Sequence, residues 1–205
     1  MAASLLLLIR HGETVWNHDG RFTTRSDVPL SDAGLAQARE AAKALAATRI
    51  DRVFCSPAAR ARVTAETITA RQPRPRPPVE VDSRLVEIDA GPFEGLTVAE
   101  IQAGPLAAEF ATWHRDDDPR FPPGTETFGS AVDRAASFLD DVRGLAGTTL
   151  AATHGSLARV IVATLVLDAD PSRHRRLWMD NCRLAAIEWL PGGRPRLVGF
   201  NLRRP

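Results

Sequence analysis

The amino-acid sequence predicts an α/β protein in which a mostly parallel, open sheet lies between two layers of helices, a three-layer α/β/α arrangement. Short apolar runs alternate along the chain with segments whose apolar residues recur at helical spacing, and this alternation is typical of a layered α/β domain. The chain has 205 residues, of which 44% are hydrophobic and 25% are charged, values that suit one globular domain of good size. No linker-like segment divides it, so we treat residues 1–205 as a single domain.

The first part of the chain is predicted to form two buried strands, each followed by a helix. Ser4–Ile9 is almost wholly apolar, as expected of a strand that is buried on both faces. Ser31 is the predicted N-cap of a helix that extends to about Ala47. A second buried strand over Arg52–Cys55 precedes a helix over about Pro57–Ala70, whose first turn tolerates proline.

The middle of the chain is predicted to be less regular. The proline-rich segment Arg71–Pro78 indicates an exposed connection, with a basic binding loop as the alternative interpretation. A short strand is expected over Val79–Val81, and two short helices over Thr97–Gln102 and Pro105–His114. Asp116–Gly124 is predicted to be a loop.

The last part of the chain is predicted to add one more parallel strand and an antiparallel hairpin. Thr148–Thr153 is an apolar strand that leads into a helix beginning near Ser156. Cys182–Trp189 and Arg196–Phe200 are predicted strands, joined by the turn residues Pro191–Gly193, that add an antiparallel edge. A clear amphipathic helix from about Glu126 is indicated by apolar residues that step by four and three: Phe128, Val132, Ala135, Leu139 and Val142.

Charge and cysteine content narrow the class of partner. The net charge of +1 argues against a general binder of nucleic acid or of acidic membranes. The longest aliphatic run near the N-terminus, Leu5–Ile9, is too short for a signal-peptide core or a membrane span. Cys55 and Cys182 are far apart and belong to no CxxC pair, so we expect reduced thiols in a cytoplasmic protein.

Two of the predicted strands end in a histidine followed by a glycine. His11-Gly12 follows the first strand, and His154-Gly155 follows the later one. In open α/β sheets, ligands bind at the carboxyl ends of the strands, and glycine lets the backbone approach a ligand closely. For either histidine taken alone, a structural role in hydrogen bonding at the strand end is an equally good interpretation.

Two arginines strengthen the case for an anion at this edge of the sheet. Arg60 lies in the first turn of the helix that follows the second strand, and Arg10 adjoins His11. A helix N-terminus and a guanidinium group both bind anions well, although a lone arginine in either place is usually a solvated surface group. Together with His154, these residues make phosphate the expected ligand.

A phosphoryl-transfer site also needs an acid or base. In a site without a metal, side chains must supply both the positive charge and the proton transfer. Glu87 lies in a short apolar segment and is a candidate for proton donation, while Glu13 and Asp89 are competitors. The chain contains no metal-ligand spacing such as HExxH, so neither a metal nor a cofactor is expected.

These residues together resemble the histidine phosphatase superfamily, the phosphoglycerate mutase-like enzymes. The similarity runs in order from about residue 5 to 190 and includes Arg10-His11-Gly12-Glu13-Thr14 with Asn17, Gly20–Thr23, Asp27–Ser31 with Gly34, Ser56-Pro57 with Arg60, Leu85, Glu87, Gly91, Phe93-Glu94-Gly95, Gly124–Thr127 and His154-Gly155.

The resemblance implies a phosphoglycerate mutase-like fold and a role for each site residue. His11 would attack phosphorus and carry a phosphohistidine, and Glu87 would protonate the leaving group and then activate water. The residues implied to bind the phosphate are Arg10, Asn17, Thr23, Arg60, His154 and Gly155, of which Arg10, Arg60 and His154 also belong to the implied catalytic set.

Within this superfamily, the sequence favours a metal-independent phosphatase acting on phosphate monoesters of small metabolites, a phosphoric monoester hydrolase of the histidine acid phosphatase type. Cofactor-dependent mutases resemble one another in a long insertion between the acid/base glutamate and the second histidine, and in a basic, tyrosine-containing stretch after that glutamate. In this sequence only 67 positions separate Glu87 from His154 (154 − 87), and the chain has no tyrosine. A phosphoglycerate mutase is the alternative. A non-catalytic binder of phospho-ligands is a further alternative, although His11, Glu87 and His154 are all present.

The sequence does not select a substrate or an oligomeric state. Thr24, Val63 and Phe93 depart from the superfamily pattern and are expected to affect substrate fit. Specificity is expected from Ala103–Gly124 and from the loop Arg21–Asp27.

Two tryptophans, Trp113 and Trp178, have more than one interpretation. Phe110 and Trp113 are predicted to be helix core, with contact to substrate as the alternative for Trp113. Trp178 and the basic run Arg173–Arg176 indicate either a self-association surface or a helix packed on its own domain.

Overall fold

A six-stranded sheet forms the centre of the molecule. A computed structural model describes residues 4–113, 126–189 and 194–205. Its strands are β1 (Ser4–Arg10), β2 (Arg52–Cys55), β3 (Val79–Val81), β4 (Gly147–Thr153), β5 (Leu184–Trp189) and β6 (Pro195–Leu202), arranged in the order β3-β2-β4-β1-β5-β6.

Four neighbouring strands are parallel, and the last two are antiparallel. β1 and β2 both pair in parallel with β4, and β3 pairs in parallel with β2. β5 runs antiparallel to β1, and β6 runs antiparallel to β5. The prediction of a mostly parallel sheet with an antiparallel edge is therefore confirmed. In this register Arg10 lies beside Thr153, and Cys55 lies beside Ala152, so the carboxyl ends of β1, β2 and β4 meet.

Helices cover both faces of the sheet, as the sequence predicts. Leu7 and Ile9 pack with the buried side chains of two helices on one face, whereas Leu6 and Leu8 pack with two helices on the other. The helices are α1 (Val15–His18), α2 (Asp32–Ala44), α3 (Ala59–Thr69), α4 (Val98–Ala103), α5 (Ala107–Trp113), α6 (Phe128–Val142) and α7 (Gly155–Val160). In these terms α2 and α3 form the first layer, and α6 and α7 the second.

Most helix limits differ from the prediction by one to three residues. Ser31 caps α2 by accepting the N–H of Gly34 at 3.0 Å, as predicted. α2 ends at Ala44 because Leu45 leaves the helical conformation. α3 begins at Ala59 rather than Pro57, since Ala58 has an extended backbone.

Several short or irregular helical segments were not predicted as such. The short helix α1 has a capping box in which Thr14 and Asn17 each accept the other's backbone N–H at 3.1 Å. A segment of four residues is too short to show a helical period. α7 continues as π-helical turns over Ile161–Val166, and short 3₁₀ turns occur at Ser83–Leu85, Gly91–Phe93 and Pro171–Arg176.

Phe110 and Trp113 form a small apolar cluster, as predicted for helix core. Phe110 is buried and Trp113 is partly buried, and both pack against Phe22 and Phe93. The predicted loop Asp116–Gly124 and the turn Pro191–Gly193 lie outside the described residues. Within the described part of the chain, no helix is long and apolar enough to cross a membrane.

Candidate active site

The two histidines that follow β1 and β4 lie side by side at the carboxyl edge of the sheet. The backbone N–H of His11 donates to the carbonyl of Thr153 at 2.9 Å, which joins the two strand ends. The imidazole rings of His11 and His154 have centroids 5.1 Å apart and meet edge to face. Both side chains are buried, so the parallel pairing of β1 and β4 places two imidazoles in one site.

The His11 ring is held by its own turn. Its Nδ1 lies 2.7 Å from the carbonyl oxygen of Gly12. Because a carbonyl only accepts hydrogen bonds, Nδ1 carries the proton, and Nε2 has a free lone pair in the neutral ring. Burial, followed by the charges of Arg10 and Arg60, lowers the pKa of His11 well below its usual value. The imidazole is therefore neutral and nucleophilic at neutral pH.

The His154 ring is held from another strand. Its Nε2 lies 2.8 Å from the hydroxyl oxygen of Ser56, the residue that follows β2. Its Nδ1 is buried and has no hydrogen-bond partner among the described residues. Burial, together with the nearby side chains of His11 and Arg60, lowers the pKa of His154 well below its usual value. His154 thus presents the opposite ring nitrogen from the one that His11 presents.

Arg10 lies against the turn after β4. Its Nη1 donates to the carbonyl of Met179 at 2.6 Å. A Cβ atom at Gly155 would lie 3.2 Å from Nε of Arg10, so the absence of a side chain at this position lets the guanidinium approach the turn. Nε of Arg10 is buried without a hydrogen-bond partner in the described chain.

Arg60 is fully buried beneath the loop that follows α1. Its Nη1 donates to the carbonyl of Ser26 at 2.8 Å, and its Nη2 donates to the carbonyl of Thr24 at 2.9 Å. On the other side of the loop, the carboxylate of Glu94 accepts the N–H of Ser26 and the N–H of Thr24, each at 2.9 Å. Glu94 and Arg60 therefore fix this loop between an anion and a cation.

Three nitrogens of this cluster have no partner within the described residues: Nε of Arg10, Nε of Arg60 and Nδ1 of His154. Leaving a buried polar group unpaired typically costs about 1–3 kcal/mol. Arg10 and His154 line the cavities at this edge of the sheet, where an anionic ligand would complete their hydrogen bonds.

Glu87 is the carboxylate that the fold places in the site. Its Oε1 accepts the N–H of Ile88 at 2.8 Å and that of Leu157 at 3.0 Å, and its Oε2 accepts the N–H of Ser156 at 2.9 Å. Glu87 is buried and lines the space beside both histidines. Of its competitors, Glu13 accepts the hydroxyl of Ser31 near the start of α2.

The other competitor, Asp89, is engaged away from the histidines. It accepts the N–H of Gly91 at 2.8 Å and lies 3.6 Å from Arg25. Neither Glu13 nor Asp89 is among the residues that line the two cavities at this edge of the sheet. The structure therefore separates Glu87 from the two carboxylates that the sequence left open.

A cleft of about 190 Å³ opens above His11. The predicted residues Arg10, His11, Asn17, Thr23, Glu87 and Gly155 line it, together with Phe22, Thr24, Ser156, Arg159, Trp178 and Met179. A second cavity of about 280 Å³ reaches His154 and shares Thr24 and Glu87 with the cleft. Arg60 lines neither space and acts from below.

Several contacts in the site were not predicted from the sequence. Ser56 follows β2 and was open to the same strand-end argument as the histidines. Met179 binds Arg10, and Asn181 donates to the carbonyl of His11 at 2.9 Å. Both belong to the irregular segment before β5, which carries no motif or period that would have placed it here. Among the residues that the structure describes, no group of three or more His, Cys, Asp or Glu side chains is arranged to hold a metal ion.

Comparison with known proteins identifies close similarity over nearly the whole chain. The model of the histidine phosphatase superfamily (branch 1) matches residues 6–203. The 2,3-bisphosphoglycerate-dependent phosphoglycerate mutase 2 of Gloeobacter violaceus is 31% identical over 90% of this chain and 85% of its own. Phosphoserine phosphatase 1 of Hydrogenobacter thermophilus is 29% identical over 89% of this chain and 85% of its own.

Solved structures share the fold. The mycobacterial glucosyl-3-phosphoglycerate phosphatase in complex with VO3 matches with a TM-score of 0.85 and 26% identity, over 97% of this chain and 99% of that one. Proteins named as mutases and proteins named as phosphatases are thus both similar to this chain.

Proposed function

The chain belongs to the histidine phosphatase superfamily (branch 1), and we propose that it is a phosphatase that hydrolyses phosphate monoesters of small metabolites through a phosphohistidine on His11. The observation that carries this proposal is the 2.7 Å hydrogen bond from Nδ1 of His11 to the carbonyl of Gly12. This bond fixes the tautomer and leaves Nε2 unprotonated at the floor of a cleft rich in hydrogen-bond donors.

In the first step, the lone pair of Nε2 attacks phosphorus, and the bond between phosphorus and the ester oxygen breaks. The leaving oxygen takes a proton from the carboxyl group of Glu87, which lines the cleft beside His11. In the second step, the carboxylate of Glu87 removes a proton from water as the water oxygen attacks phosphorus. The bond from phosphorus to Nε2 then breaks, which releases phosphate and restores the neutral imidazole.

The cationic cluster offsets the negative charge of the transferring group. Arg10 and Arg60 supply guanidinium groups, each with a buried Nε that has no partner among the described residues. Ser56 already accepts the N–H of Ala58 and can donate its own proton to Nε2 of His154. This assignment places the proton of His154 on Nδ1, where it serves as a further donor to the phosphate. The remaining proposed contacts to phosphate are Asn17, Thr23 and Gly155, which line the cleft.

Hydrolysis is favoured over phosphoryl exchange by the access of water to Glu87. Glu87 lines both the cleft above His11 and the second cavity on the His154 side, so it is reached from two directions. The short spacing between Glu87 and His154 and the lack of tyrosine, features by which the sequence favours a phosphatase, support the same choice. Phosphoglycerate mutase activity is the second candidate, because a protein of that name is 31% identical over 90% of the chain.

The partner is proposed to be a small-molecule phosphate ester, not a nucleic acid or a membrane. The net charge of +1 gives the chain little general attraction to polyanions, while Arg10 and Arg60 add positive charge beside the two histidines. A cytoplasmic location stays a prediction.

The test is phosphate release from a chromogenic aryl phosphate in excess chelator. We expect the wild type to turn over and His11→Ala to lose turnover by about 10⁴-fold or more, as expected on removal of a nucleophile. His18→Ala is the matched control, because His18 is exposed and lies outside the cleft. Turnover that needs added metal, or that persists in His11→Ala, would contradict the proposal. Assays with phosphoglycerate and bisphosphoglycerate measure exchange and so separate phosphatase from mutase.

A further inference from the structure

The mouth of the cleft carries a bare indole ring. Trp178 lines the cleft and is 70% exposed, the largest exposure among the large hydrophobic side chains of the described residues. Single exposed apolar side chains are common on protein surfaces and need no explanation by themselves. Trp178 is different because it lies beside the proposed phosphate site and because its orientation is fixed.

A chain of hydrogen bonds holds the ring. Nε1 of Trp178 donates to Oδ1 of Asp180 at 2.8 Å, and Oδ2 of Asp180 accepts from Nδ2 of Asn201 at 3.1 Å. The N–H of Asp180 also donates to Oδ1 of Asn201 at 2.9 Å. The polar edge of the indole is thus satisfied by protein, and what it leaves to solvent is a flat apolar face.

A second aromatic residue lines the same cleft. Phe22 is backed by Phe93 and Trp113, with ring centroids 5.9 Å and 5.8 Å away, so its position is fixed by the small apolar cluster. The cleft therefore combines hydrogen-bond donors at His11 with aromatic carbon on two elements that come from distant parts of the chain.

Arg159, the second arginine that lines the cleft, is already hydrogen-bonded to protein groups. Arg159 donates from Nε to the carbonyl of Gly155 at 3.0 Å, from Nη1 to the carbonyl of Leu177 at 3.4 Å, and from Nη2 to the hydroxyl of Ser156 at 3.2 Å. Every nitrogen of this guanidinium thus has a protein partner. Arg159 is therefore held in position by the walls of the cleft.

From these contacts we propose that the preferred substrates carry an aromatic ring in the leaving group, which stacks on the exposed face of Trp178. The inference rests on the proposed function, since it names the substrate class of the same site. An aromatic ring covers the flat apolar face of the indole more completely than a sugar ring, whose edges carry hydroxyl groups. A short acyclic acid lacks a surface that would use the indole.

The test measures binding to the intact protein with two phosphonates that are not hydrolysed. Calorimetry is run with benzylphosphonate and methylphosphonate on the wild type, Trp178→Ala, Trp178→Leu and Trp178→Phe. We expect Trp178→Ala to weaken benzylphosphonate by about 3- to 10-fold, the range that aromatic pairs contribute, and to leave methylphosphonate unchanged. Trp178→Phe should keep most of the preference, whereas Trp178→Leu should lose it, because leucine is apolar but not flat.

The outcomes test this inference and the proposed function separately. An equal loss for both ligands, or no loss for benzylphosphonate, overturns the stacking proposal. A change in oligomeric mass of Trp178→Ala with unchanged ring preference also overturns it and assigns the indole to self-association. Because binding does not require turnover, a wild type that hydrolyses no ester would overturn the phosphatase proposal and still leave the role of Trp178 measured.

Discussion

The two histidine–glycine turns at the ends of β1 and β4 are alike in sequence and different in hydrogen bonding. Nδ1 of His11 donates to the carbonyl of the next residue, so Nε2 is free. Nε2 of His154 bonds to Ser56, which follows β2, and its Nδ1 has no partner among the described residues. The same dipeptide therefore presents Nε2 in one turn and Nδ1 in the other, which the proposed function uses as a nucleophile and as a hydrogen-bond donor, respectively. His11 is bound within its own dipeptide and His154 by a distant serine, and this difference in partner distinguishes the two rings.

The glycines of the two turns differ in the same way. A Cβ at Gly12 would lie 2.6 Å from the carbonyl oxygen of Gly34, an atom of the backbone that cannot move aside cheaply. A Cβ at Gly155 would meet the side chain of Arg10 at 3.2 Å. Gly12 is thus required for the packing of the turn on α2, whereas Gly155 is required for the position of a guanidinium.

Substitution of the two histidines should give the largest difference in activity between the two turns. We expect His11→Asn to lose about 10⁴-fold or more in kcat and to form no phosphorylated protein, because the nucleophile is gone. His154→Asn should lose about 10²- to 10³-fold, the usual cost of removing one donor to a transition state, and should still be phosphorylated on His11.

Rapid quench with a labelled aryl phosphate measures both quantities on the same samples. A phosphorylated His11→Asn protein, or equal losses in the two variants, would remove the distinction that the hydrogen bonds imply between the turns.

Substitution of the two glycines by alanine should give a smaller effect, divided between stability and activity. Gly12→Ala should lower the free energy of unfolding by about 1–3 kcal/mol, because a backbone contact must open. Gly155→Ala should leave stability within about 1 kcal/mol and lower kcat/KM by about 10-fold, because Arg10 must shift. Urea denaturation and steady-state kinetics on both variants measure the split. Loss of stability in Gly155→Ala with unchanged kinetics would show that the two glycines have the same role.

Lowering the pH should have the smallest effect, a loss of folding stability to which the histidines of both turns contribute. The pKa of each histidine is lowered in the folded protein, so the unfolded chain binds protons first as the pH falls below about 6.5. Stability is therefore complete above that pH and is lost below it. Between about pH 7.5 and about pH 5.5 we expect a loss of about 1 kcal/mol for each histidine, and His154→Asn should lose correspondingly less.

Urea denaturation at the two pH values measures this loss. The activity of the wild type should persist in the same range, because His11 remains neutral there. A fall of kcat/KM with a midpoint near about 6.5 would contradict the lowered pKa of the nucleophile.

Much of the site follows from the sequence because parallel strands end at one edge of the sheet. His11 and His154 were placed together by this rule, and Arg60 by its position in the first turn of the next helix. The rule also covers Ser56, which directly follows β2. The position of the three carboxylates near predicted turns left Glu87, Glu13 and Asp89 open, and the resemblance to the superfamily implied Glu87. In the structure, packing places Glu87 in the cleft and the other two elsewhere.

The sequence by itself determined the alternation of strands and helices, the parallel sheet and the two histidines at its carboxyl edge, because these depend on local periodicity and on the geometry of parallel strands. Only the tertiary structure decided which ring nitrogen of each histidine is free and which aromatic ring faces the cleft. The free nitrogen of His11 is set by the adjacent Gly12, but that of His154 and the position of Arg10 depend on residues far apart in the chain, such as Ser56 and Met179. Such pairs form when separate elements pack, and no local pattern encodes the distance between them.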